Sequence, residues 1–175
     1  MATIWKLDPT HSELTFKVKH LMISNVKGEF TKFDATIEGE KFEESTISAT
    51  VQTASVFTNN DERDGHLQSA DFFEVENYPE MKFTSTSITK ESDDEFKLTG
   101  DLTIKGTTKS ITLDVDFGGY MTDPYGNQKA GFSIEGKLNR KDFGLNWNAA
   151  LETGGVLVSD EVKLAAELQF VKESA

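Results

Sequence analysis

Apolar side chains recur at every second position over most of this chain, a period that puts them on one face of an extended strand with polar residues on the other. In Glu13–Lys19 the apolar set is Leu14, Phe16 and Val18; in Phe33–Glu38 it is Phe33, Ala35 and Ile37; in Ile47–Ser55 it is Ile47, Ala49 and Val51. The pattern resumes with Met81 and Phe83, then Phe96, Leu98, Leu102 and Ile104, then Ile111, Leu113, Val115 and Phe117. It ends with Ala130, Phe132, Ile134 and Leu138, and with Val162, Leu164, Ala166, Leu168 and Phe170. A helical stripe needs a period near 3.6, so this chain is all-β, with about eight strands.

The links between the runs carry hairpin chemistry. Lys105-Gly106 separates two alternating runs, and Asp123-Pro124-Tyr125-Gly126 places Pro and Gly where a type I turn takes them. Sequential strands are therefore expected to be neighbours in an antiparallel meander. Such a meander has two exposed edges unless it closes, and closure into a barrel removes both.

One stretch, Thr58 to Pro79, breaks the alternation. Asn59 or Asn60 is placed to cap a short helix whose first turn carries Asp61 and Glu62, while Gly65 within it costs about 1 kcal/mol relative to Ala. The expected arrangement is a brief helical excursion over one barrel end, with Phe72 and Phe73 turned inward.

At 175 residues the chain makes a single domain, 1–175, able to bury roughly 70% of the surface its unfolded form exposes. It has no cysteine, which rules out disulfides, thiolate metal sites and cysteine nucleophiles. The net charge of −12 would repel phosphate backbones and anionic lipid surfaces, so no nucleic acid partner is expected. No segment approaches the ~20 apolar residues of a membrane span. The start, Met-Ala-Thr-Ile-Trp-Lys, shows no basic region followed by an apolar stretch, so the expected location is cytoplasmic, or periplasmic if a leader has been removed.

An eight-stranded barrel is either filled by its own side chains or wide enough for one small ligand. Beside Phe16, Phe83, Phe132 and Leu113, the inward positions include Ala49, Thr53, Ser55, Ser85, Gly100, Ala130, Gly136 and Ala166, too small to reach an axis. That mixture fits an apolar tunnel and a tapered packed core equally well. A tunnel would be walled by Phe16 and Val18, Phe83, Leu102 and Ile104, Leu113, Phe132 and Ile134, and Leu164, with Leu67 and Phe72 from the excursion. Phe143 and Trp147 would close one end, although plain aromatic packing explains them as well. His20 and Arg63, with Asn146 and Asn148, are the polar candidates for a mouth. At ~0.8 kcal/mol per buried methylene, such a tunnel favours a chain over a compact metabolite.

Several strings carry a family likeness: Trp5-Lys6-Leu7-Asp8-Pro9-Thr10-His11-Ser12, Lys19-His20-Leu21, Gly28-Glu29-Phe30, His66 through Phe73 (HLQSADFF) and Tyr78-Pro79. Further on come Leu98 through Gly106 (LTGDLTIKG), Asn139 through Leu145 (NRKDFGL) and Val158-Ser159-Asp160-Glu161-Val162. Together, and in this order, they resemble the YceI-like family of bacterial lipocalin-type polyisoprenoid-binding proteins. The resemblance implies a lipocalin-like barrel that binds, sequesters or transports a long amphiphilic lipid such as a polyisoprenoid, quinone-like or fatty chain, with no other cofactor and no chemistry of its own. It also implies a homodimer. The alternative is a stress-related interaction protein with a packed barrel and no cargo.

Other chemistry is weakly supported. Asp8, His11 and Ser12 supply the residue types of a hydrolytic triad, but their spacing in a turn does not converge them and no Gly-x-Ser-x-Gly elbow occurs. Glu62 and His66 sit one helical turn apart, yet two ligands do not make a metal site, and His11 and His20 fall on other elements.

Overall fold

A computed structural model of the chain describes residues 3–21, 23–148 and 158–173. Among these residues, one wholly antiparallel sheet closes on itself. Its segments are β1 (Ile4–Leu7), β2 (Glu13–His20), β3 (Ser24–Phe30), β4 (Phe33–Glu38), β5 (Thr46–Gln52) and β6 (Val56–Phe57). They are followed by β7 (Glu80–Lys90), β8 (Glu95–Ile104), β9 (Thr107–Thr122), β10 (Gln128–Asn139) and β11 (Val158–Lys172).

These segments act as eight staves, because three staves are each broken once. β1 and β2 both run along β11, at Phe170–Lys172 and Val158–Glu167, with a 3-10 turn at Pro9–His11 between them. β4 pairs with β1 and β3 with β2, while β5 pairs with β4 and β6 with β3. Each successive stave lies beside the previous one, and the last pairs with the first. The result is the expected closed, up-and-down, eight-stave barrel.

Local chemistry accounts for the turns. Lys105 and Gly106 both have positive φ, 50° and 77°, which makes the two-residue β8–β9 link a primed hairpin turn whose twist matches the strands. At the β9–β10 tip the Asp123 carboxylate accepts from the backbone N–H of Tyr125 and of Asn127. Register shifts within β7–β8, near Ser85 and Ser87, and within β9–β10, beside Gly131 and Phe132, add the local twist that closure demands.

Three differences from the alternation emerge. β1 and β3 carry inward sets, Trp5 with Leu7 and Val26 with Phe30, that the pattern hides, one because four residues are too few and the other because Gly28 interrupts it. The run through Ile47 ends as a strand at Gln52, and Thr53–Ser55 forms a 3-10 turn in which Thr53 is buried and donates to the Tyr78 carbonyl. Most of the small inward residues make room for neighbouring side chains. A Cβ on Gly100 would stand 2.4 Å from the Phe83 ring, and one on Gly136 would stand 2.3 Å from Leu113. Ala130 is buried in the core, and the Ser85 hydroxyl accepts from Ile47 N–H. Ala49 and Ala166 remain open to the interior.

The helix forms as expected. α1 (Asp61–Gln68) is capped by Asn60, whose side chain accepts from Arg63 N–H, and its first turn carries Asp61, Glu62 and Asp64. It lies over the barrel end that holds the β2–β3 and β8–β9 turns, tethered there by the Lys105 ammonium donating to the Ala70 carbonyl. At the opposite end Phe42, on a short 3-10 turn, packs against Phe96 and Phe132 at centroid distances of 5.0 and 4.8 Å.

Candidate functional site

Two buried clusters leave a space between them. The floor is built around Phe42, Phe96, Phe132, Phe170, Trp5 and Ile37. A collar beneath α1 is built around Phe30, Val56, Met81, Ile104, Phe143 and Leu145. Between and above them lies a cavity of about 610 Å³, within the range of small-molecule and lipid sites. Its wall is almost wholly aliphatic and aromatic, drawn from inward faces all round the barrel. Leu14, Phe16 and Val18 on β2 are only half-buried although they point inward, because they face this space instead of packed neighbours.

Thirteen of the sequence-derived wall and mouth residues border the cavity: Phe16, Val18, His20, Arg63, Leu67, Phe72, Phe83, Leu102, Leu113, Phe132, Ile134, Trp147 and Leu164. Ile104 and Phe143 do not. Both belong to the collar, and Phe143, 1% exposed, is a packing residue that holds the rim from behind. Asn146 is exposed, and Asn148 is turned to β11, where its amide donates to the Val158 carbonyl (2.7 Å) and accepts from Val158 N–H (3.1 Å).

The polar lining gathers at the α1 end, which identifies the mouth. His20 arrives from the tip of β2 and Arg63 from α1. The Arg63 guanidinium donates to the Thr58 hydroxyl (2.8 Å) and carbonyl (2.7 Å), while Asp64 accepts from Thr58 N–H (2.8 Å) and from its hydroxyl. Thr58 thus fixes Arg63 at the rim, where Asp64 holds the same threonine and Glu62 also lines the cavity. Beside it His66 meets Trp147 edge-on at 4.6 Å and Phe72 at 5.1 Å, and its Nε2 lies 2.9 Å from Asp71. These rings form an aromatic lip over the apolar shaft.

Arg140, absent from the expected set, organises the other side of the mouth. It is 3% exposed, and its guanidinium donates to the carbonyls of Leu145 (2.6 Å), Trp147 (2.7 Å), Ser159 (2.9 Å) and Val158 (3.4 Å). Burial draws its pKa below the usual guanidinium value, opposed by Asp160 at 3.9 Å. The clamp seats Trp147 on the lip and ties that segment to the start of β11. Nothing in period-two alternation marks such a residue; a lone Arg in Asn-Arg-Lys-Asp reads as a solvated turn. Phe30 and His66 also face the cavity and escape the pattern, lying on the interrupted β3 and on the excursion, while Phe73 lines it as expected beside Phe72.

The residue types of a hydrolytic triad near the chain start do not come together as one. Asp8 contacts His11 at 2.9 Å and accepts from the Thr10 hydroxyl, so its carboxyl is lowered to about 2, by Thr10 first and His11 second. Ser12, however, turns away to pair with the backbone of Gln169. Among the described residues no three His, Asp or Glu side chains gather as metal ligands.

An up-and-down barrel with an apolar shaft and one polar mouth, rimmed by loops and a helix, is a lipocalin-like barrel. The sequence profile of the YceI-like domain matches residues 5–170, so the chain belongs to the YceI-like family. A UPF0312 protein of Staphylococcus aureus is 43% identical over 171 residues, covering 96% of this chain and 97% of that one. The Campylobacter jejuni YceI protein superposes with a TM-score of 0.77 at 38% identity, over 90% of both chains. A Saccharophagus degradans domain described as polyisoprenoid-binding has the same fold at 16% identity (TM-score 0.67), covering 97% of this chain and 98% of that domain.

Proposed function

We propose that the protein binds one single-chain amphiphile, tail in the shaft and head at the Arg63–His20–His66 rim, and sequesters or carries it without altering it. The observation that carries this reading is the cavity itself: an apolar shaft of about 610 Å³ inside a closed barrel, ending at a polar, aromatic lip that includes Arg63. The polyisoprenoid-binding description of the Saccharophagus degradans domain, which shares the fold, supports an isoprenoid tail.

The volume bounds the tail. At roughly 30 Å³ per methylene-sized unit, the share a water molecule takes in the liquid, the shaft encloses about twenty carbons. Burial at ~0.8 kcal/mol per methylene makes tail length the main determinant of affinity. The rim adds a choice of head group, because charge-assisted hydrogen bonds from Arg63 favour a carboxylate or phosphate over a neutral head.

Denaturing extraction of the purified protein, followed by mass spectrometry, should release a lipid of this class, and fatty or prenyl amphiphiles should raise the melting temperature. A protein that is empty on extraction and shows no thermal shift with any long-chain amphiphile would sink the reading.

A further inference from the structure

On the outer wall next to the mouth four lysines stand in one row. Lys27 on β3 is directly opposite Lys17 on β2, Lys17 is opposite Lys163 on β11, and Lys163 is opposite Lys137 on β10. All four side chains point outward, because the residues flanking them, among them Phe16, Val18, Val26 and Leu164, face the interior. Like charges directly opposite one another destabilise a sheet, and this chain carries a net charge of −12. A row of four uninterrupted cations therefore runs against both the local energetics and the overall composition. Among the described residues only Lys137 of the four has a carboxylate within 4.0 Å, Glu161 at 3.9 Å. Lys19 extends the patch towards the rim, while Glu29 and Glu135 lie on the side away from it.

The same wall ends in exposed apolar side chains. At the β2–β3 tip Leu21 is 38% and Ile23 86% exposed, and Phe57 on β6, beside β3, is 44% exposed. With strands ~4.8 Å apart, the lysine row spans about 15 Å, and it lies four residues, about 13 Å, below Leu21 and Ile23. Charges elsewhere on the molecule are screened beyond a Debye length of about 8 Å at physiological ionic strength, so an approaching surface responds to the lysine row together with the carboxylates that border it, Glu29, Asp114, Glu135 and Glu161.

We propose that this wall is a docking face for an anionic lipid bilayer, with the lysines on the head groups, Leu21 and Ile23 entering the interface, and the cavity mouth turned to the membrane. An acidic polypeptide or a nucleic acid would use the lysines but leave the apolar tip in water. The choice of a bilayer rests in part on the reading of the cavity as a lipid site, since the two share one rim.

Flotation of the full chain with vesicles tests this. Vesicles of phosphatidylcholine doped with phosphatidylglycerol should carry the protein at low salt, with binding falling as salt rises, and pure phosphatidylcholine should not. Each lysine near such a surface is worth about fivefold, so Lys17→Gln/Lys27→Gln/Lys163→Gln should weaken binding roughly a hundredfold. The same variant should melt no lower than wild type, because it removes cross-strand repulsion, and this separates lost docking from lost fold. Leu21→Ser/Ile23→Ser should abolish whatever binding survives high salt. The proposal is overturned if wild type ignores the doped vesicles, floats equally on the undoped ones, prefers polyglutamate to vesicles, or floats unchanged with the three lysines replaced. Flotation is independent of cargo: a protein that floats but extracts empty refutes the cavity reading alone, and one that extracts loaded but never floats refutes the docking face alone.

Discussion

Ala49→Phe offers a direct measure of the shaft. Ala49 lies on β5 between Ala35 and Phe83 in the pairing register, with its methyl group facing the cavity. Phenylalanine adds six ring carbons there, about 180 Å³ at ~30 Å³ each, close to a third of the 610 Å³ available. A tail that filled the native shaft must then leave about six carbons in water, a gross loss of about 5 kcal/mol, or between three and four decades in affinity. A tail shorter by six carbons should bind as it does to wild type. The assay is displacement of an environment-sensitive fluorescent amphiphile by a homologous series of fatty acids, and the expected result is a shift of the optimum chain length with little change in melting temperature. Ala130→Phe is the control: Ala130 is 3% exposed and packed into the floor cluster away from the cavity, so the added ring should cost about 1–3 kcal/mol or more of stability and leave the length preference alone. If the two variants unfold alike and neither moves the optimum, the interior is packed and the reasoning fails.

Other substitutions probe the rim and the frame. Arg140→Met strands the carbonyls of Leu145, Trp147 and Ser159 and should cost about 3 kcal/mol in urea unfolding, with a red shift of Trp147 emission; a loss below about 0.5 kcal/mol would show that the clamp is idle. Gly100→Ala brings a Cβ within 2.4 Å of the Phe83 ring and 2.6 Å of the Thr84 carbonyl oxygen, and should lower stability by about 1–3 kcal/mol; an unchanged melting temperature would refute the close approach. Arg63→Gln should weaken carboxylate-headed chains about tenfold while sparing the alcohols of the same length, and equal loss for both would remove Arg63 from head-group selection. The Asp8 carboxyl, at about 2 in the folded protein against 3.8 ordinarily, stabilises the fold above about pH 4 and stops doing so as pH falls from 3.8 towards 2. Asp8→Asn should therefore flatten the thermal stability profile in that window, and a profile as steep as wild type would deny the contribution.

Much of the site was legible in the sequence because lining a barrel and alternating along a strand are the same geometric fact. Phe16 with Val18, Leu113 with Leu164, and Phe132 with Ile134 all face the shaft; each has a polar residue on at least one side, with Gly131 before Phe132 and Ala165 after Leu164. Where the signal depended on anything but period two, it faded. Ile104 and Phe143 carry the same apolar signature as their neighbours, yet they fall at the collar, where the staves and the segment after β10 crowd together. Arg140 has no apolar signature at all; its role comes from carbonyls contributed by two segments of chain that meet only in the folded barrel.

Period-two patterning and turn chemistry, both properties of a few consecutive residues, determined by themselves that the chain is a meander of about eight antiparallel staves with one helical break. Whether the barrel's middle is empty is not a local property. Gly100 and Gly136 look like vacancies in the sequence, but only the tertiary structure shows them covered by Phe83 and Leu113 from the adjoining strand, while Ala49 and Ala166 open on a real cavity. The volume at an axis depends on which side chains lean across from neighbouring strands. The mouth, likewise, is a matter of which end receives α1, Arg63 and the Arg140 clamp.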